Sequence, residues 1–155
     1  MPASASSTAV DDAQLEAFVV AFDDFVHAAK RARARVQPDA ALTTSQYDLL
    51  APLAEADGPL GLRELARAAG VSAPTATRMV DGLEGRGIVR RERCAEDRRA
   101  VRLTLTDDGV AAVDEHRGLM LARRRALFER LAPGERKAAA TVLARLAAAY
   151  EEVVA

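Results

Sequence analysis

Ser72, Pro74, Thr75, Thr77 and Arg78 fall within one short stretch, and a second polar group, Asp97-Arg98-Arg99, follows further along. Short hydroxyls beside one long cation hydrogen-bond phosphates and base edges; they do not form a nucleophile–base pair. At about 100° per residue, a helix over 73–86 turns Pro74, Thr75, Arg78, Asp81 and Gly82 outward, with Thr77 on the edge of that arc. Ala76, Met79, Val80 and Leu83 turn inward. A packed inner face and a polar outer one are what a helix needs to read the major groove. Arg78 is the only long cation in the first two turns and is the candidate base reader, since a bidentate arginine–guanine contact discriminates by about 1–3 kcal/mol. Gly82 keeps the helix slim and carries no readout. In the second group an arginine at a loop tip can enter the minor groove, and Asp97 can hold Arg99 extended through a carboxylate–guanidinium bond. The tripeptide also reads as a solvated turn with a weak surface ion pair.

The elements that must position these groups follow from periodicity. Leu15, Phe18, Val19, Phe22, Phe25, Val26 and Ala29 mark one face of a helix over 11–35, with Asp11 and Asp12 at its start and basic residues at its end. A second helix starts at a Thr43 or Thr44 N-cap and runs to Ala56, before the Asp57-Gly58-Pro59 break. A short helix over 62–69 ends at Gly70, and Ser72 caps the helix over 73–86, where Pro74 is tolerated in the first turn. Two strands are expected, 88–93 and 100–106, with a charged tip over 94–99 between them. Thr106 caps a helix running to about Leu131, and a last helix follows Ala132-Pro133-Gly134. This order is mostly α with a small β-wing: a winged helix-turn-helix with helices at both ends.

Net charge is −1, which does not look like a nucleic-acid binder. Placing the charges changes that: residues 72–106 carry a net +3, and the rest of the chain carries −4. A local basic patch supplies the footprint that phosphates need, although a solvated charged face gives the same count. No apolar run approaches the roughly 20 residues of a membrane span, and residues 1–10 read as a frayed tail rather than a signal peptide. A single cysteine, Cys94, fits a reducing compartment and places the chain in the cytoplasm.

The run Leu65-Ala66-Arg67-Ala68-Ala69-Gly70-Val71-Ser72, then TATRMVDGLEGRGIVRR (75–91) and AEDRRAVRLTLTDDG (95–109), resembles the MarR family, and closely its SlyA-like members. The resemblance is specific between about 60 and 109; the ends match in helix order and length. It implies a DNA-binding transcription regulator, commonly a repressor, that meets a pseudo-palindromic operator as a homodimer. The recognition helix 73–86 would enter the major groove, with Arg78 at the family's recognition-helix arginine. The wing 94–99 would enter the minor groove, with Arg98 beside Arg99 and Asp97 as the partner of Arg99. Gly82 departs from the long polar residue common in that family and puts base preference there in doubt. Residues 11–155 would form one domain, with 11–36 and 107–155 as dimerisation helices and 43–106 as the DNA-binding lobe. Dimerisation has its own physical reason: one winged helix gives a small interface, and two copies on half-sites about 34–36 Å apart give useful affinity.

The family also commonly binds a small phenolic or aromatic effector between the dimer helices and the lobe. Phe22, Phe25, Tyr47 and Leu50 are candidates to line such a pocket, and the same stripe reads equally as core or dimer interface. No cofactor or metal is expected. His27 and His116 are far apart and read as surface residues, and a lone wing cysteine reads as incidental. An enzyme lacks its catalytic constellation here. A single-strand binder would stack bases on aromatics, and residues 48–127 contain none. A helical adaptor without DNA binding is the other reading, and it predicts no salt-dependent binding to duplexes.

Overall fold

The computed structural model describes residues 11–34, 40–93 and 101–154. Among these the elements are α1 (Asp12–Ala34), α2 (Thr44–Glu55), β1 (Leu60–Gly61), α3 (Leu62–Ala68), α4 (Ala73–Gly85), β2 (Val89–Arg93), β3 (Val101–Leu105), α5 (Asp107–Arg130) and α6 (Pro133–Val154). Local chemistry sets several of the boundaries. Thr43 and Gln46 form a reciprocal capping box at the start of α2: Gln46 N donates to Thr43 Oγ1 at 3.2 Å, and Thr43 N donates to Gln46 Oε1 at 3.0 Å. Ser72 and Thr106 each accept a first-turn amide, from Thr75 and Gly109. Gly70 follows α3 at φ 64°, a left-handed conformation that suits glycine.

Leu42, Leu49, Leu50, Leu53, Leu65, Ala66, Ala76, Val80, Leu83, Ile88, Val89, Leu103, Ala112 and Val113 form one core shared by α2, α3, α4, the sheet and the start of α5. Six leucines of this set are at most 1% exposed, each contributing roughly 1.5–3 kcal/mol by burial. The sheet has three strands in the order β1-β3-β2, both pairs antiparallel. Sequence patterning anticipates β2 and β3 but not β1, a two-residue strand in which Leu60 pairs with Leu103.

The helical ends behave differently. Neither α1 nor α6 contributes a buried residue among those described. Leu15, Phe18, Val19, Phe25, Leu127, Phe128, Val142, Leu143 and Tyr150 are all exposed. His116, expected on the surface, is instead buried at 7% exposure, because the α5 face that carries Gly109, Ala112 and Val113 into the core extends one turn further to it. His27 is exposed, as expected, and its Nδ1 donates to the Asp23 carbonyl at 2.8 Å. No described helix is long and apolar enough to cross a membrane.

Candidate nucleic-acid interface

The α3–α4 turn is held by its own backbone. Ala69 N, Gly70 N and Val71 N donate to the carbonyls of Leu65, Arg67 and Ala66 at 2.9, 3.2 and 3.0 Å. Val71 tucks partly against the core, and Ala76, with no exposed surface, lets α4 sit close on Leu65 and Ala66 of α3. The opposite face of α4 is the one the sequence predicts, except that Thr75 and Thr77 exchange places. Pro74, Thr77, Arg78, Asp81 and Gly82 are exposed, with Thr75 half-buried at the edge. Of the expected inner residues, Ala76, Val80 and Leu83 are buried and Met79 is half-buried.

The small hydroxyls on this face are partly committed. Ser72 Oγ caps the Thr75 amide at 3.3 Å and lies 2.9 Å from Thr75 Oγ1. Thr77 Oγ1 donates to the Ala73 carbonyl at 2.9 Å, which leaves its lone pairs free to accept but its proton engaged. Ser72 and Thr77 thus orient the first turns of α4 as much as they offer groups to a ligand. Arg78 is exposed and forms no salt bridge with any other described residue. The space outside Gly82 is open.

Two residues that sequence reasoning missed, Arg86 and Arg91, fix the helix to its surroundings. Arg86 donates to the Ala41 carbonyl and so pins the end of α4 to the segment before α2. Arg91, on β2, pairs with Asp81 at 2.5 Å and with Glu84 at 2.9 Å, both on α4. Finding that pair from sequence would require the strand's position relative to α4, which no local pattern supplies. Thr106 joins lobe to α5: its hydroxyl donates to the Gly87 carbonyl at 2.5 Å and its amide to Ile88 O at 3.1 Å. Gly109 is required at that joint, since a Cβ there would collide with the Ile88 carbonyl oxygen.

β2 and β3 pair from Val89↔Leu105 to Arg93↔Val101 and form the stem of the hairpin. The tip residues Asp97, Arg98 and Arg99, together with Cys94, lie outside the described residues. The four candidate effector-pocket residues are dispersed. Leu50 is fully buried in the core, Phe25 is 59% exposed, and half-buried Phe22 stacks on Phe18 with ring centroids 5.8 Å apart. Tyr47 stacks on His116 at 4.6 Å between centroids. The Tyr47 hydroxyl beside Arg117 raises the pKa of that guanidinium above the ordinary arginine value, outweighing desolvation. An ion pair of 2.8 Å, Arg33–Asp48, ties the end of α1 to α2 beside this cluster.

The architecture and these residues match a known group. The MarR family model matches residues 42–101. The transcriptional repressor CouR, solved bound to a 23-mer DNA duplex, is 32% identical, with 87% of this chain and 89% of that chain covered and a TM-score of 0.59. The chain belongs to the MarR family. Bordetella bronchiseptica BpsR, whose DNA binding is regulated by 6-hydroxynicotinic acid, is 27% identical over 82% of this chain and 98% of its own, with a TM-score of 0.64. MepR, a transcription regulator of the Staphylococcus aureus multidrug efflux pump MepA, shares the fold at a TM-score of 0.73 and 19% identity, covering 86% of this chain and 98% of its own. Within the MarR framework α3 and α4 form the helix-turn-helix, and β2 with β3 is the wing.

Proposed function

We propose that this MarR family member is a sequence-specific, double-stranded DNA-binding transcriptional repressor rather than an enzyme, acting in the cytoplasm. It binds a pseudo-palindromic operator as a homodimer. The observation that carries the reading is the outward face of α4: an exposed arginine without an ionic partner among the described residues, flanked by oriented hydroxyls, on a helix braced by α3 and joined to a β-hairpin. Arg78 reads a base edge in the major groove, while Ser72, Pro74, Thr75 and Thr77 make the close approach to phosphate and sugar. Arg98 and Arg99 enter the flanking minor groove, with Asp97 holding Arg99 extended. Exposed apolar side chains on α1, the far half of α5 and α6 support a dimer built from the ends, with residues 43–106 as the reading lobe. A small aromatic effector lodged near Tyr47, between the lobe and the dimer helices, releases the DNA by preferring one arrangement of lobe and ends.

Selecting bound duplexes from a random library tests this directly. Wild-type protein enriches a palindrome, and its affinity falls steeply with salt. Arg78→Ala relaxes the preference within each half-site by about 1–3 kcal/mol. Arg99→Ala weakens binding most at narrow A·T-rich flanks. A wild-type protein that enriches nothing at low salt overturns the proposal.

A further inference from the structure

Arg91 does something that neither the fold nor base reading demands. Its guanidinium spans two carboxylates three residues apart on α4, Asp81 at 2.5 Å and Glu84 at 2.9 Å. A planar fork reaches two such acceptors at once, whereas the point charge of a lysine does not. The Arg91 side chain is 32% exposed, whereas that of its neighbour Arg90 is 65% exposed and pairs with Glu92 of the same strand at 2.8 Å. Among the described residues, Arg91 makes the ion pairs that join the hairpin to α4.

We infer that Arg91 is a positioning residue for DNA reading: it clamps the wing to α4 so that the two reading elements keep one fixed angle. This rests on the DNA-binding reading above. The covalent route from α4 to β2 is the short turn Arg86-Gly87-Ile88, with Gly87 at φ 72°. That turn, together with the burial of Val89 and Leu103 in the core, fixes the base of the hairpin. A two-stranded ribbon has little stability of its own, and only two residues of β1 support its far edge. The Arg91 clamp adds an ionic link from the strand to the outer side of α4, and separated links narrow the range of orientations. It also quenches the repulsion between Asp81 and Glu84, which lie on neighbouring turns of α4. Ordinary exposed pairs contribute little, but this one is partly buried and forked, the geometry in which an ion pair matters.

Charge and position predict opposite results for one variant, which makes the idea testable. The D81N/E84Q double variant removes two negative charges from the helix that approaches DNA and leaves the shapes unchanged. Coulomb attraction alone therefore predicts tighter binding. The clamp predicts weaker binding. On the operator selected by wild-type protein, D81N/E84Q and R91Q each lose about fivefold in affinity, the scale of a well-made ion pair. The slope of log affinity against log salt stays at the wild-type value, because no phosphate contact is removed. Arg99→Ala then adds little on top of D81N/E84Q, since the wing is no longer delivered. Amide exchange across 89–92 rises in the same variant without any DNA present. Should R91Q fail to fold, D81N/E84Q alone decides, because its two substitutions are isosteric and at partly exposed sites. Equal or tighter operator binding by D81N/E84Q overturns the clamp while leaving the DNA-binding reading intact. A wild-type protein that selects no duplex takes down both.

Discussion

Between Leu42 and His116 most of the described large apolar residues bury one another, whereas on α1, the far half of α5 and α6 they face outward. Leu49, Leu50 and Leu65 have no exposed surface, while Phe25, Leu127 and Val153 are 59%, 68% and 85% exposed. Both regions have amphipathic helices, so the difference lies in topology rather than composition. The lobe brings four helices onto a small sheet, and each stripe finds a facing stripe in the same chain. Among the described residues, the stripes of the two ends find no such neighbour. A periodic stripe therefore tells which face of a helix is apolar, and nothing about whose side chains cover it.

The comparison breaks most clearly if damage to the lobe dissociates the protein. Leu50→Ala costs about 3 kcal/mol of folding stability in urea, with the monomer–dimer equilibrium unchanged in sedimentation velocity. Loss of dimer in that variant would mean that the two regions are not energetically separable. Phe25→Ser sits on the other side of the comparison. It weakens dimerisation by about tenfold, or 1.4 kcal/mol, while the helical circular dichroism of the lobe persists. An unchanged dissociation constant would place Phe25 outside the interface. The smallest effect belongs to His116→Phe at the boundary. Both His116 ring nitrogens are buried without a hydrogen-bond partner among the described residues, and a phenyl ring keeps the stack on Tyr47. The substitution raises stability by about 1 kcal/mol. A drop in melting temperature would mean that those nitrogens are satisfied by the second copy.

What could be read in advance was local. Thr43, Ser72 and Thr106 announce helix starts because a cap depends on three or four neighbouring residues, and each is a cap here. The outer face of α4 was legible for the same reason, since helix geometry alone sorts Arg78 from Val80. β1 was not, because Leu60-Gly61 is too short to show alternation and owes its extended form to β3, some forty residues along the chain. Arg91 was read only as one charge among many, because its partners depend on how β2 leaves α4. His116 carried a signal that went unused: Gly109, Ala112, Val113 and His116 share one helical face, and its first three members are small or apolar. Of the pocket candidates, Leu50 is core, because helical periodicity does not separate a pocket wall from packed interior.

The joint at Thr106 and Gly109 makes a lever of α5. Its 24 residues extend about 36 Å, and its first turn is welded through Ile88 to the exit of α4. A tilt of about five degrees around the far end moves the near end by about 3 Å, comparable to the rise of one base pair. In a symmetric pair both arms swing, so the gap between two reading helices shifts by up to twice that, and a small displacement at the bundle throws the half-sites out of register.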